Sequence, residues 1–298
     1  MPSNLGLVCI THSQEVRYRT ITRKRLLQHT SAEQQALLRE LFSANMERLK
    51  AALAYCRREA ISLYRLPSGI FPFSDETVGR DVLLEFTEAL ASIGQQAAEN
   101  RIRLVMHPDQ FVVLSSDSPN VVANSIKILS MHADIMDLLQ QPRSSWALLE
   151  IHGGKSNRAR ELVACIASLP DGIRTRLGLE NDEYAYSAAE IHEICLQSGV
   201  PMVFDAHHHI VKENLSSYEH PSVKEMLMKA RETWQEPAMQ LVHISNGRES
   251  FNDRQHSDLI EIWPSSYDLA PWVEIEAKSK ELAIQKLRVD MPMCAEMR

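Results

Sequence analysis

The sequence predicts an α/β protein folded as a single (β/α)8 TIM barrel, and three observations lead there. Eight short apolar or β-branched runs recur along the 298 residues, and amphipathic segments separate most of them. The length is also close to the roughly 250 residues in which such barrels fold as one unit, so residues 1–298 read as one domain.

The first run covers residues 5–11 and leads to a helical pattern at 31–59, where Ser31 and Gln34 stand at the spacing of a capping box. Further runs fall at 62–66, 102–107, 147–152, 177–180, 202–205, 240–245 and 272–276. Helical periodicity fills the gaps at 80–100, 120–140, 158–169, 188–198 and 222–234, with 279–289 closing the chain. Residues 246–266 are polar and read as a long loop with one helical turn near Leu259, and long loops in compact folds usually carry function. A doubly wound open sheet is the competing fold, but no GxGxxG follows the first run to mark a dinucleotide site.

Composition narrows the function classes. With 44% hydrophobic and 24% charged residues there is little room for a long disordered or fibrous segment. Five cysteines are scattered singly without a CxxC pair, which suggests neither a disulfide framework nor a thiolate zinc site and fits a reducing cytoplasm. The N-terminus lacks a basic stretch followed by an apolar core, and no apolar run approaches the roughly 20 residues that span a bilayer, so no membrane partner is expected. A net charge of −7 argues against a protein that coats nucleic acid through a basic surface. It does not argue against a nucleic-acid enzyme, because bound metal ions supply local positive charge where a phosphate would sit.

The chemistry lies at the ends of the runs. Six consecutive ones finish on a histidine or carboxylate: His107 in LVMHP, His152 in LLEIHGG, Glu180 in LGLEND, Asp205 in MVFDAHHH, His243 in LVHIS and Glu276 in VEIEA. The C-terminal ends of barrel strands open into one mouth, so these side chains converge. Three histidines with three carboxylates suit Zn²⁺ or Mn²⁺. His208 follows Asp205 in a D-x-x-H step and is expected in the next loop, and His256 in the long seventh loop adds another donor. Eight donors exceed the needs of one ion and point to two or three, with Glu180 on its central strand placed to bridge two. Any one of these histidines alone is more often a hydrogen-bonded barrel residue than a ligand. Six in register, with carboxylates that would be costly to bury without a cation, favour the metal site.

Other features are less specific. His207 and His209 read as supporting or solvent-facing, the basic stretch 17–25 as a phosphate-tracking segment or merely a solvated loop, and Trp234, Trp263 and Trp272 as packing.

The order His, His, Glu, Asp-x-x-His, His, His, Glu along a barrel resembles the endonuclease IV superfamily. Local wording resembles its UV damage endonuclease branch: LGLVC at Leu5, SLYRLPSGIFPFS at Ser62, HPDQF at His107, EIHGG at Glu150, LENDE at Leu179, FDAHHH at Phe204, HIS at His243, RQHSDLI at Arg254 and EIEAKSKELAI at Glu274. The resemblance implies a barrel enzyme with two or three divalent ions, usually manganese with zinc as the alternative, that nicks damaged double-stranded DNA immediately 5′ of a lesion. The ends left would be 3′-hydroxyl and 5′-phosphate. Carried over, the ligands are His107, His152, Glu180, Asp205, His208, His243, His256 and Glu276, with Glu180, His107 and Glu276 closest to the chemistry. The lesion-probing pair falls on Gln110 and Phe111.

This chain departs from the family pattern in several places. Leu7 stands where the N-terminal motif has Tyr and Thr11 where Asn follows, so both are expected to contact DNA at the lesion with Gln110 and Phe111, and Phe111 stands where the second probing residue is usually Tyr. Asp75 replaces a ligand His after the PFxS motif and still offers an oxygen, and Leu241 replaces a Lys two residues before the seventh-strand His. Lesion spectrum and ion count are therefore open. The alternatives are an abasic-site endonuclease, a sugar-phosphate isomerase on a related barrel, and a non-catalytic binding protein. A monomer is the favoured assembly.

Overall fold

The computed structural model describes residues 4–291. Eight parallel strands close into a barrel in sequence order: β1 Asn4–Val8, β2 Leu63–Leu66, β3 Arg103–Met106, β4 Leu149–His152, β5 Leu177–Glu180, β6 Met202–Asp205, β7 Leu241–Ile244 and β8 Trp272–Ile275. All eight expected runs form strands, each four or five residues long. Closure is made by β1 pairing with β8, Gly6 opposite Glu274.

Strand alternation divides the residues between two cores. One face of each strand packs on the surrounding helices in the main hydrophobic cluster, which includes Leu5, Leu7, Leu104, Leu179 and Phe204. The other face fills the barrel, where Leu63, Val105, Leu148, Val203, Leu241 and Trp272 form a separate apolar plug. Leu241 and His243 lie on the same face of β7, so the leucine is part of the floor beneath the histidine. Below the plug, the fully buried Arg103 guanidinium stands 5.2 Å from the ring centres of Trp146 and Trp272. It donates to the carbonyls of Ser145, Trp146 and Met239 at 2.7–2.9 Å.

The helices match the expected periodicity with four corrections. The long helix Ser31–Arg58 is capped one residue earlier than expected, by Thr30 with Glu33. Both pairs have capping-box spacing, but a carboxylate is the stronger acceptor and is favoured at the positive end of a helix. Gln34 instead donates to the His29 carbonyl. The pattern at 80–100 divides into Thr77–Leu84 and Thr87–Glu99. Asp205 is followed directly by a helix, Ala206–Lys212, and not by a loop. Its carboxylate accepts the His208 N–H at 2.7 Å, so the putting of Asp three residues before His serves as a cap as well. In the seventh loop the helical turn falls at Ser265–Leu269, not near Leu259, and a bridge joins Gly247 to His256. Asn246 orders that loop by accepting the N–H groups of Glu261 and Ile262, both at 2.8 Å.

Arg103→Lys keeps the buried charge, but one ammonium lacks the planar fork that serves three carbonyls at once. We expect a loss of about 2 kcal/mol or more, read as a lower urea midpoint at unchanged slope; an unchanged midpoint would mean the fork is dispensable.

Candidate metal centre

The barrel-facing residues one step above the apolar plug are Arg65, Glu150, His243 and Glu274, with Glu180 and Asp205 on the intervening strands. His107 and Glu276 follow β3 and β8 directly, and the Glu276 N–H still donates to the Ile244 carbonyl at 2.9 Å. Seven of the eight strands therefore deliver these side chains to one mouth.

Glu180 is the hub. Its Oε2 lies 2.9 Å from His107 Nε2 and 3.0 Å from His152 Nε2, while Oε1 lies 3.0 Å from His243 Nδ1 and 3.3 Å from His208 Nδ1. Among the described residues, three groups bring potential donor atoms within 4.8 Å of one another: His107, His152 and Glu180; Glu180, Asp205, His243 and Glu276; and Glu150, His243 and Glu274. Glu180 belongs to the first two.

Neighbouring acceptors assign the ring nitrogens. His107 Nδ1 is 3.0 Å from the Pro108 carbonyl, which takes its proton and leaves Nε2 facing Glu180. His208 Nδ1 is 2.9 Å from the Asn181 carbonyl, freeing Nε2, which lies 3.7 Å from Glu183. His243 Nε2 is 3.0 Å from Glu150 Oε2, so Nδ1 is the atom turned toward Glu180 and Glu276. These partners fix tautomer and ring plane, as carboxylates and carbonyls behind a metal-binding histidine do.

Burial raises the stakes. Desolvation opposes charge on Glu180, but His243 and His152 outweigh it and hold its pKa well below the ordinary carboxylate range. Desolvation likewise opposes charge on His243, and Glu180 and Glu276 outweigh it, so its pKa lies well above the usual histidine value. At Glu150 desolvation wins, reinforced by Glu274, and the pKa rises. Arg65 is the guanidinium that meets this charge, paired with Glu276 and 3.0 Å from Glu274. Even so, Asp205 Oδ2, Glu150 Oε1 and Glu274 Oε1 are buried without a hydrogen-bond partner, while Glu274 Oε2 has only ion-pair contacts, 3.0 Å from Arg65 Nε and from His243 Nε2. Orphaned carboxylate oxygens beside imidazole nitrogens make a donor set that fits a divalent cation.

The other expected site residues separate from this cluster to different degrees. His256 Nδ1 is 3.8 Å from Glu276, at the edge and in none of the three groups. Asp75 is also in none of them and pairs with Lys127 at 2.8 Å. Leu7 lies on the helix-facing side of β1 and is fully buried; Thr11 is fully buried with its hydroxyl accepting the Val16 N–H. Neither reaches the mouth. Gln110 lines the cleft of about 400 Å³ over the cluster, and Phe111 is 60% exposed beside it. His207 and His209 are buried, so solvent-facing is corrected: His207 bonds Tyr218 and the Asp253 carbonyl, and His209 bonds Ser222. In the basic stretch, Arg19 and Arg23 pair with Glu40 and Glu76 on the surface.

Sequence reasoning missed Arg65, Glu150 and Glu274. The signal was there as spacing, since Glu150 stands two residues before His152 and Glu274 two before Glu276, each on the barrel-facing side of its strand.

The comparisons with known proteins bear on the family and the fold. A family model described as UV-endonuclease UvdE matches residues 3–298. The chain is 53% identical over 286 residues to a UV DNA damage endonuclease of Nostoc sp., covering 95% of this chain and 89% of the relative. It is 48% identical over 291 residues to a UV DNA damage endonuclease of Deinococcus radiodurans, covering 97% and 95%. The crystal structure of SacUVDE shares the fold with a TM-score of 0.74 at 24% identity, over 96% of this chain and 98% of that one. Endonuclease IV from Thermus thermophilus shares it more loosely, with a TM-score of 0.56 at 13% identity over 81% and 92%. With a match across nearly the whole chain and relatives near half identity over almost its full length, the chain belongs to the UV-endonuclease UvdE family.

Proposed function

We propose that this protein is a metal-dependent endonuclease that nicks double-stranded DNA immediately 5′ of UV photoproducts, leaving 3′-hydroxyl and 5′-phosphate ends. The observation that carries the reading is the pair of His and carboxylate groups sharing Glu180 beneath an open cleft lined by Gln110, whose chain neighbour Phe111 is exposed. An exposed phenyl ring beside that cleft suits a base displaced from its stack.

His107, His152 and Glu180 would hold one cation and Glu180, Asp205, His243 and Glu276 a second, with His208 and His256 as outer donors and Asp75 outside the set. Among the described residues, five carboxylates gather above the apolar plug (Glu150, Glu180, Asp205, Glu274 and Glu276) with one guanidinium beside them, that of Arg65, an imbalance that two divalent ions would offset. The mixed nitrogen and oxygen donors suit Mn²⁺, with Zn²⁺ the alternative. A divalent cation in such a site stabilises charge on a phosphate oxygen and lowers the pKa of water. The chain's own residues do the rest: Glu180 ties the two groups together, Arg65 holds Glu276 in place, and Glu150 holds the His243 ring. Gln110 and Phe111 would probe the duplex, the ring inserting where a lesion leaves the stack.

The reading takes the chain as one barrel domain acting as a monomer, since its own strands complete the cluster. It places the enzyme in the cytoplasm, whose reducing conditions suit free Cys9, Cys56, Cys165 and Cys195. No helix among the described residues is long and apolar enough to cross a membrane.

The test is incision of an end-labelled duplex carrying one cyclobutane thymine dimer, with Mn²⁺ and with a chelator, beside undamaged and abasic duplexes. A metal-dependent nick 5′ of the dimer, lowered roughly a hundredfold or more by Glu180→Gln, is expected. Cutting of the abasic duplex alone would transfer the assignment to abasic sites. Glu150→Gln weakens the bond that orients His243, and Mn²⁺ affinity followed by the spectrum of free Mn²⁺ should fall about 10- to 100-fold. Unchanged affinity would remove Glu150 from that role.

A further inference from the structure

Among the described residues, two aromatic side chains are more than half exposed, and both stand at the barrel mouth. Phe111 is on the loop after β3. The other is Tyr184, 64% exposed on the loop after β5, in a segment the sequence reading left without a role.

The Tyr184 loop is built to hold the ring outward. Buried Asp182 accepts the N–H groups of Tyr184, at 2.7 Å, and of Ala185, while Lys212 donates to the Tyr184 carbonyl at 2.7 Å. A side chain this exposed gains nothing from burial, and a lone exposed tyrosine is ordinary. This one is distinguished by what surrounds it. The Arg254 guanidinium, from the seventh loop, lies over its ring at 4.2 Å from the centroid. A cleft of about 320 Å³ runs from Tyr184 to Gln110 past His152 and Glu183. The same three residues, Gln110, His152 and Glu183, also line the cleft over the metal centre, whose wall includes Arg254. The two clefts thus share a wall, with Gln110, the neighbour of exposed Phe111, lining both, Tyr184 lining one and Arg254 the other.

We propose that Tyr184 and Arg254 form a second DNA contact, in addition to the Gln110–Phe111 loop. Arg254 meets a backbone phosphate and the Tyr184 ring stacks on a base or deoxyribose beside the lesion. The inference rests on the DNA-binding reading above and deepens it. An arginine over an aromatic ring combines the two elements that grip unstacked nucleic acid, a planar charge and a π-face. The rigid loop means little order is lost on binding. Because the chain carries a net charge of −7, a cation held at the mouth also counts for more than one on a basic surface.

The test is fluorescence anisotropy with the Mn²⁺-loaded protein and a dimer-bearing duplex whose linkages 5′ of the dimer are phosphorothioate to slow cutting. Tyr184→Ala should weaken binding about tenfold at unchanged Mn²⁺ content. Arg254→Ala should weaken it and lower the slope of log affinity against log salt by about one, while Arg254→Lys should keep the slope. Both residues are exposed, so the variants fold. Wild-type affinity in Tyr184→Ala together with an unchanged slope in Arg254→Ala would overturn the proposal and leave the endonuclease reading intact. Weakened binding by a protein that cuts no damaged duplex would uphold the contact and sink the cleavage reading. No DNA binding by the wild type would overturn both.

Discussion

Burying the Glu180 carboxylate in the centre of the barrel mouth is the constraint from which the surrounding arrangement follows. An isolated carboxylate at that depth would be neutral or would keep the barrel from closing. Here four histidine nitrogens lie within 3.3 Å of its two oxygens, and each histidine arrives from a different element. Those histidines must in turn be oriented. The Pro108 and Asn181 carbonyls and Glu150 do so, and Glu150 then adds a charge of its own beneath the cluster. Arg65 answers that charge incompletely. The orphaned oxygens of Asp205, Glu150 and Glu274 are the remainder, the strongest physical sign that the site is organised for cations.

The floor that carries this load is apolar and held from below. Leu63, Val105, Leu148, Val203 and Leu241 separate the charged layer from Arg103 at the opposite end of the barrel. Arg103 is itself buried charge, yet it is surrounded by indole faces and backbone carbonyls and meets no carboxylate there, and burial pushes its pKa down to about 10. Keeping the two polar layers apart with one apolar layer lets Arg103 be satisfied by its own carbonyls, independently of the carboxylates above. It also explains why Leu241 is tolerated directly below His243: the position belongs to the plug.

Strand identity and the ends of the strands were legible in the sequence because burial on both faces produces continuous apolar runs, and a histidine or carboxylate closing such a run has no apolar explanation. The carboxylates within the runs were not legible as part of the site. Glu150 and Glu274 interrupt their strands singly, and only the two-residue period relative to His152 and Glu276 gives them away. Leu7 and Thr11 show the reverse error. Motif proximity suggested a lesion contact, but the alternation of β1 turns Leu7 toward the helices, and the Thr11 hydroxyl is used within its own loop. The helix after Asp205 was missed because three consecutive histidines have weak helix propensity; the Asp205 cap and burial of all three supply what propensity does not.

The mouth therefore combines two kinds of order. The candidate cation donors around Glu180 sit mostly on or beside strands, where the barrel holds them on a rigid scaffold, as a site for charge stabilisation requires. The aromatic residues sit on loops after β3 and β5, exposed, and at least in the case of Tyr184 pinned by side-chain bonds to the backbone. Loops set on a rigid scaffold can differ between relatives without disturbing the donors. A change at Phe111 or in the Tyr184–Arg254 stack would alter what the surface meets while leaving Glu180 and its histidines untouched. On this architecture the rim can be altered independently of the donor cluster below.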